Sequence, residues 1–242
     1  MKTIGVVGTG KTGGEVLALL KKRSDVRTVE FNRSYPPTPA VWKSLDAAIC
    51  FLPGPSMLAY FDVFTGDPKP MVIGSTGYEL SPAQVARVRA LPCPWVISSN
   101  FSLGMTLAKN VIAQMANWAA RSGLPIAQSI SETHHVQKKD APSGTAILWR
   151  DWAVNASPGL KREPIAIESR RVEDHCGVHR YTLALPNETM SFTHDAASRA
   201  VFAEGAVWAL DTILRPAGSA SSLRGRVDFF DLIATTMKEE TP

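Results

Sequence analysis

The chain has 242 residues, of which 45% are hydrophobic and 20% are charged, and its formal net charge is +4. This composition is typical of a folded globular protein and excludes disordered and fibrous classes. The basic residues are scattered, and Arg170 and Arg171 are flanked by the acidic Glu168 and Glu173. We therefore expect a modest attraction for anionic ligands and no nucleic-acid-binding face.

Three features of the sequence predict where in the cell the protein is located. Cys50, Cys93 and Cys176 have no CxxC spacing, which argues against a disulfide framework or a zinc site, so we expect no metal. No apolar run approaches the roughly 20 residues that span a bilayer, so we expect no membrane contact. The first residues already have the pattern of a strand, which predicts no signal peptide. The expected location is the cytoplasm.

The first part of the chain has an α/β pattern, because short apolar runs alternate with helical stretches up to about Gly104. Helices are indicated by the apolar stripes Val16–Leu20 and Val85–Leu91. Strands are predicted at Thr3–Val7, Val26–Phe31, Ala47–Leu52, Met71–Gly74 and Trp95–Ser98. The sequence predicts a mostly parallel sheet of the Rossmann type over residues 1–104.

A second domain is predicted over residues 105–216, where the pattern changes. It is expected to contain a helix over Leu107–Trp118, a strand over Ile126–Ser131, an antiparallel hairpin of Tyr181–Leu185 with Thr189–His194, and a helix from Val201 to Leu214. The stretch Gly218–Ser222 resembles a linker. The apolar segment Val227–Ile233 predicts that residues 217–242 return to the first domain.

A glycine-rich turn, GTGKTG, follows the first predicted strand and opens the first helix. Gly8 and Gly10 allow a tight turn and the close approach of a pyrophosphate, and Gly13 allows close helix packing. Unpaired amides at the helix start attract an anion. We predict a dinucleotide bound by Gly8, Thr9, Gly10, Lys11, Thr12 and Gly13. A glycine-rich turn that binds nothing is the alternative.

The second predicted strand ends at Asn32 and Arg33, about 20 residues past the glycines, where a carboxylate usually binds the ribose. An amide and a guanidinium accept a 2′-phosphate, so NADPH is the expected cofactor, in preference to NADH. A solvated arginine, or Glu30 facing the ribose, would remove this preference.

The segment ETHHVQKKDAPSGTA, Glu132–Ala146, concentrates polar chemistry. Consecutive strand residues point to opposite faces, so His134 and His135 are not expected to bind one metal. Ser143 is suited to cap a helix, whose first amides, from Ser143 to Thr145, are expected to be unpaired and to attract a carboxylate or phosphate. Lys138 can reach the same place. The segment therefore predicts a site for a small acid, with Asp140 holding the turn or pairing with a lysine.

These residues resemble the dihydrodipicolinate reductase family, also called 4-hydroxy-tetrahydrodipicolinate reductases, of the lysine and diaminopimelate pathway. Glu132–Ala146 meets each defined position of the family signature E-x-H-H-x-x-K-x-D-A-P-S-G-T-A. Shorter matches occur at Ile49–Pro55, Val72–Gly77 and Ser99–Gly104, and at the late residues Gly177, His179, Glu188, His194, Ser198, Arg199, Phe202, Ala203, Gly205 and Ala206.

The resemblance implies a hydride transfer from a nicotinamide to the unsaturated ring of a cyclic dicarboxylate, 4-hydroxy-tetrahydrodipicolinate. His134 and Lys138 are the implied proton donors, and the implied carboxylate-binding residues are His135, Ser143, Gly144 and Thr145. The residues implied near the nicotinamide are Phe51, Gly74, Ser75, Thr76, Ser99, Asn100 and Phe101. Lys11 and Thr12 depart from the arginine and methionine common in the family, which affects the pyrophosphate contact.

The resemblance also implies that the second domain is an α+β domain with an open mixed sheet, which pairs with other copies into a homotetramer. The His179–His194 hairpin is the candidate contact surface, since a hairpin needs covering. Packing inside one subunit is the alternative. Two other functions are a related NADPH-dependent reductase or dehydrogenase acting on another small carboxylic acid, and a non-catalytic nucleotide-binding regulator.

Overall fold

The computed structural model describes residues 1–156, 164–173, 175–215 and 222–239. They form two compact units: residues 1–102 with the chain from residue 199 onward, and residues 103–198. The sequence analysis assigned residues 105–216 to the second domain, whereas in the structure the chain has returned to the first unit by residue 199. The linker predicted at Gly218–Ser222 lies outside the described residues except for Ser222.

A parallel six-stranded sheet forms the centre of the first unit. Its strands are β1 Lys2–Val7, β2 Val26–Phe31, β3 Ala47–Cys50, β4 Met71–Ile73, β5 Pro94–Ile97 and β10 Gly225–Asp228. They lie in the order β10–β5–β4–β3–β1–β2, and every neighbouring pair is parallel. The chain turns to one side of β1 for β2 and to the other side for β3. The carboxyl ends of β1 and β3 are therefore the topological switch point at which sheets of this class bind ligands.

The helices of the first unit are α1 Lys11–Lys21, α2 Pro39–Trp42, α3 Gly54–Ala59, α4 Phe61–Gly66, α5 Pro82–Arg89, α8 Ala200–Ile213 and α9 Phe229–Glu239. Helix α1 buries Val16, Leu17 and Leu20 at helical spacing. Helix α5 begins at a capping box, in which Ser81 and Gln84 each bind the other's amide. All four residues of β3 are buried, as expected for a central parallel strand.

Helix α8 belongs to the first unit because its close contacts lie there. Asp211 accepts two hydrogen bonds of 2.8 Å from the guanidinium of Arg23. A Cβ at Gly205 would lie 1.7 Å from the carbonyl oxygen of Phe101, so only glycine allows this approach. The linker-like composition after the helix indicated a boundary there, but composition does not reveal which partner a helix packs against.

A four-stranded mixed sheet forms the second unit, as predicted. Its strands are β6 Ala127–His134, β7 Ala166–Arg171, β8 Val178–Ala184 and β9 Thr189–Asp195, and its helices are α6 Gly104–Arg121 and α7 Gly144–Asn155. The order is β7–β6–β8–β9, with β6 and β7 parallel and the other pairs antiparallel. The predicted hairpin is confirmed as β8 and β9, with Tyr181 opposite Phe192.

Two elements differ from the predictions. The apolar segment Val227–Ile233 is not one element, because β10 ends at Asp228 and α9 begins at Phe229. The carboxylate of Asp228 accepts the amide hydrogen of Phe230 at 2.8 Å, which stabilises this corner. Strand β7 was not predicted, since its charged residues conceal the alternation. In the part of the chain that the structure describes, no helix is both long and apolar enough to cross a membrane.

Candidate active site

The glycine-rich turn of the first unit connects β1 directly to α1. Gly8 has a φ of +89°, a conformation that side chains rarely adopt. A Cβ at Gly13 would lie 1.8 Å from the carbonyl oxygen of Gly8, so the helix can pack against the turn only with glycine there. A Cβ at Gly10 would meet no atom of the described residues within 4 Å. The fold of the turn therefore requires Gly8 and Gly13 but not Gly10, which fits a backbone that a ligand approaches closely.

The start of α1 has the electrostatics of an anion site. Its first turn contains no acidic residue, and no side chain caps it at Gly10. Lys11 is its first residue and is exposed, while Thr9 and Thr12 are half-buried. The unpaired amides and the positive end of the helix dipole favour a negative group here. These residues fit the pyrophosphate of a dinucleotide.

The residues predicted to select the cofactor follow β2 and are exposed. The side-chain oxygen of Asn32 accepts the amide hydrogens of Ser34 and Tyr35, at 2.9 and 3.0 Å. Asn32 therefore shapes the turn and has only its NH₂ group left to donate. Glu30 lies 2.7 Å from Lys21, so its carboxylate already has a cationic partner. Arg33 remains the exposed cation after β2.

The residues implied near the nicotinamide follow the carboxyl ends of β3, β4 and β5. A Cβ at Gly74 would lie 2.1 Å from a ring carbon of Phe51, so only glycine leaves room for this ring. The ring of Phe101 meets that of Phe51 edge to face, with 6.1 Å between the ring centres. Ser75 and Asn100 are buried, and Asn100 accepts the amide hydrogen of Ser102 at 2.8 Å. These buried residues shape the loops from within. Thr76 and Ser99 are exposed at the same edge.

The polar centre of the second unit is the carboxylate of Glu132, which is fully buried. Alternation along β6 places Glu132 and His134 on one face of the sheet. The register sets His179 opposite Glu132 and Arg171 beside His134. Four polar residues therefore converge on a single face, although three strands supply them.

The two oxygens of Glu132 have different partners. Oε1 accepts the backbone amide of Ser143 at 3.2 Å and two N–H groups of Arg171, each at 3.3 Å. Oε2 lies 2.6 Å from Nδ1 of His134 and 3.9 Å from Nε2 of His179. Nε2 of His179 lies 3.0 Å from the hydroxyl of Ser143. The carboxylate thus connects a cation, two imidazoles and the start of α7.

These contacts determine the ionisation of the cluster. Burial raises the pKa of the Glu132 carboxyl, but hydrogen bonds from Ser169 and Ser143 and the neighbouring positive charges lower it to about 2. Burial, together with His134, lowers the pKa of His179 to about 3. Burial also lowers the pKa of His134, as do the charges of Lys138 and Arg171, while Glu132 opposes them. Near neutral pH the cluster therefore contains a carboxylate and two neutral imidazoles.

Lys138 lies in the loop between β6 and α7. Its backbone amide donates to the carbonyl of His135 at 3.1 Å, and its Nζ lies 2.9 Å from the carboxylate of Asp140. The expected pairing of Asp140 with a lysine is therefore present. Arg171 donates to the carbonyl oxygens of Lys138 and Asp140, at 3.3 and 2.6 Å.

Ser143 caps α7 as predicted, since its hydroxyl accepts the amide hydrogen of Ala146 at 3.2 Å. The expectation that its own amide is unpaired is wrong, because Glu132 accepts that hydrogen. Ser143 is buried, whereas Gly144 is exposed and Thr145 half-buried. A Cβ at Gly144 would meet no atom of the described residues within 4 Å, so a ligand can approach this backbone.

His134 is brought together with Glu132 and His179 and not with His135. One side-chain nitrogen or oxygen atom from each of Glu132, His134 and His179 lies within 4.8 Å of the other two. Carboxylates and imidazoles are among the groups that bind zinc in proteins. The carboxylate, however, already contacts a guanidinium and a backbone amide. The three residues therefore form a buried polar cluster whose carboxylate is already engaged by other groups.

Sequence reasoning missed the role of Arg171, which was interpreted as one of the scattered basic residues. Its neighbour Arg170 has the same side chain but pairs with Glu168 in solvent, at 2.8 Å. The alternation of a strand distinguishes the two arginines only after the strand and its register are known. Glu132 was singled out only because it matches a defined position of the family signature, and its role as the buried centre of the cluster was not predicted.

Comparisons with known proteins show which family this chain resembles. A family model described as "Dihydrodipicolinate reductase, C-terminus" matches residues 104–224. The 4-hydroxy-tetrahydrodipicolinate reductase of Campylobacter curvus is 31% identical over 86% of this chain and 91% of its own length. That of Natronomonas pharaonis is 31% identical over 96% and 100%. A dipicolinate-bound dihydrodipicolinate reductase from Paenisporosarcina sp. TG-14 shares the fold, with a TM-score of 0.69, 19% identity and coverage of 94% and 97%.

Proposed function

Because this chain belongs to the dihydrodipicolinate reductase family, we propose that it reduces 4-hydroxy-tetrahydrodipicolinate to tetrahydrodipicolinate with a reduced nicotinamide dinucleotide. The observation that carries the proposal is the buried Glu132 carboxylate, which binds the start of α7 directly and the Lys138 loop through Arg171. The glycine-rich turn of the first unit supplies the matching dinucleotide site.

The substrate is a ring with two carboxylates, and the second unit offers donors of the right kind. Lys138 provides a positive charge, and His135 lies three residues before it. The backbones of Gly144 and Thr145 lie at the positive end of α7, which favours a carboxylate. The structural relative from Paenisporosarcina binds dipicolinate, which is also a ring with two carboxylates. We assign the same class of ligand to this site.

The proton of the reaction is assigned to Lys138. Between the 4-hydroxy substrate and tetrahydrodipicolinate the 4-hydroxyl group leaves as water, and the ring gains a hydride, which a bound reduced nicotinamide would supply, and a proton at the neighbouring carbon. His134 is a poorer source, because burial lowers its pKa and its Nδ1 faces Glu132. Gly177 packs closely against the same ring, since a Cβ at Gly177 would lie 3.0 Å from Nε2 of His134. His134 therefore acts as a neutral part of the cluster, and Lys138 as the acid.

NADPH is the proposed cofactor, in preference to NADH. The exposed Arg33 is a cation that a 2′-phosphate can pair with, and the NH₂ group of Asn32 can donate to the same phosphate. Glu30, which would repel the phosphate, pairs instead with Lys21.

A homotetramer and a cytoplasmic location are also proposed. One face of the second unit's sheet carries the exposed Ser129, Arg180 and Thr193, and Met190 on β9 is 39% exposed. This face and the β8–β9 hairpin are the surfaces on which copies of the chain would meet. Light scattering during gel filtration measures the assembly directly.

The activity is tested by mixing purified protein with the condensation product of pyruvate and aspartate semialdehyde, and by following the loss of reduced cofactor. The expected result is oxidation of NADPH that depends on this substrate. Lys138→Ala serves as the control for contaminating reductases. Oxidation only with other small carboxylic acids would instead favour the related reductase or dehydrogenase, and no oxidation with any acid would favour a binding protein.

A further inference from the structure

Arg171 is the last residue of β7, and its guanidinium contacts four other residues. It donates twice to Oε1 of Glu132, at 3.3 Å. It also donates to the carbonyl oxygen of its neighbour Arg170 at 2.8 Å. The remaining contacts are with the carbonyl oxygens of Lys138 and Asp140, at 3.3 and 2.6 Å. One side chain thus connects a buried carboxylate to a loop.

The geometry of a guanidinium explains why an arginine stands at this position. Its N–H groups lie in one plane and point in fixed directions, so it binds several acceptors at once without further loss of freedom. A lysine ammonium at the same position could reach Glu132 or the loop carbonyls, but not all of them together. The side chain of Arg171 is 21% exposed, and that of Glu132 is fully buried, so water does not readily replace these contacts.

The two loop carbonyls belong to the residues that determine where the lysine ammonium lies. Lys138 is held at its own carbonyl, and Asp140, which contacts Nζ of Lys138 at 2.9 Å, is held at its carbonyl as well. Both ends of this ion pair are therefore connected through Arg171 to Glu132.

We infer that Arg171 is a positioning residue for Lys138, holding the loop of residues 138–140 against the buried carboxylate of Glu132 so that the lysine ammonium faces the substrate. This inference rests on the proposed function for its catalytic consequence, but not for its structural one. Arg171 itself touches neither the substrate nor the cofactor in this scheme.

The test compares Arg171→Lys with Arg170→Lys. The two variants make the same chemical change at adjacent residues, but the side chain of Arg170 is 64% exposed and pairs with Glu168. Arg171→Lys is expected to lower kcat by roughly 10- to 100-fold, the effect of misplacing a reacting group by about 1 Å. Affinity for NADPH should stay unchanged, and Arg170→Lys should retain turnover close to that of the wild type.

Hydrogen exchange supplies a readout that does not depend on turnover. Peptides covering residues 136–141 should exchange faster in Arg171→Lys than in Arg170→Lys, while those of β8 should not change. The inference requires both the fall in kcat and the local increase in exchange. A fall in kcat without faster exchange, or faster exchange without a fall in kcat, overturns it.

Two further measurements cover the remaining outcomes. If Arg171→Lys does not fold, the double variant Glu132→Gln/Arg171→Met removes both charges and leaves no unpaired ion. It should show the same local exchange, and unchanged exchange overturns the inference. If the wild type does not reduce the substrate, the proposed function fails, whereas the exchange comparison still decides whether Arg171 holds the loop.

Discussion

The stability of the second unit is expected to depend on the ionised carboxylate of Glu132. Glu132→Gln keeps the shape of the side chain and removes its charge. Arg171 then loses its anionic partner, and Ser143 loses a charged acceptor for its amide. Removing one member of a buried ion pair is costly, because the other charge stays buried without compensation.

The size of the effect follows from the pKa of the carboxyl. The folded protein lowers this pKa from 4.5 to about 2. At about 1.4 kcal/mol per pKa unit, the ionised carboxylate contributes about 3 kcal/mol near neutral pH. Because the folded pKa lies below the unfolded one, this contribution is complete above pH 4.5 and is lost as the pH falls towards 2. At about pH 3 it should have decreased to about 1.4 kcal/mol.

The assay is urea unfolding of wild type and Glu132→Gln at neutral pH and at about pH 3, with hydrogen exchange of β6 and β8 to report on the second unit alone. Glu168→Gln is the matched control, since Glu168 pairs with Arg170 in solvent and such pairs contribute less than about 1 kcal/mol. The variant should be destabilised by about 3 kcal/mol at neutral pH and by less than half of that in acid. A difference below about 1 kcal/mol, or one that does not change with pH, would refute this reasoning.

Three other outcomes are expected. Lys138→Ala should lower turnover by roughly 100-fold or more, as expected for the loss of a proton donor, and should leave NADPH affinity unchanged. A steady-state kcat within a few-fold of the wild-type value would contradict the role of Lys138. Gly177→Ala puts a methyl group 3.0 Å from Nε2 of His134, so the imidazole ring must move and kcat/KM should fall. Gly66→Ala is the control and should leave kcat/KM unchanged, because a Cβ there would meet no described atom within 4 Å. Equal losses in both variants would show that the ring position is unimportant. Arg33→Ala should weaken NADPH more than NADH in fluorescence titrations, and equal weakening would remove the argument for a 2′-phosphate contact.

Local features of the sequence predicted much of the first unit. The positive φ of Gly8 and the close approach of Gly13 to the Gly8 carbonyl both arise within one turn, so the strand, turn and helix can be predicted together. The strand Val26–Phe31 has the predicted bounds, because it ends at the polar turn residues that follow Phe31. Ser143 caps α7 for the same reason, since a cap depends on the next three residues.

Other features depended on contacts between residues far apart in the chain. Helix α8 packs against α1 and the Phe101 segment, although it follows the second unit directly and composition indicated a later boundary. The amide of Ser143 is paired because Glu132, eleven residues earlier, reaches it. Neither contact has a signature in the residues nearby.

The sequence by itself determined the chemistry available to this protein: a glycine turn for a dinucleotide, and a run from Glu132 to Ala146 with two lysines, two histidines and a capped helix. Both are contiguous, so the covalent chain already brings their residues together. Only the tertiary structure decided which groups of that run are ionised, engaged or held. Those properties depend on strand register, which brings Arg171 and His179 to the Glu132 carboxylate. Arg170 has the same side chain as Arg171, but its place in the strand leaves it paired with Glu168 in solvent.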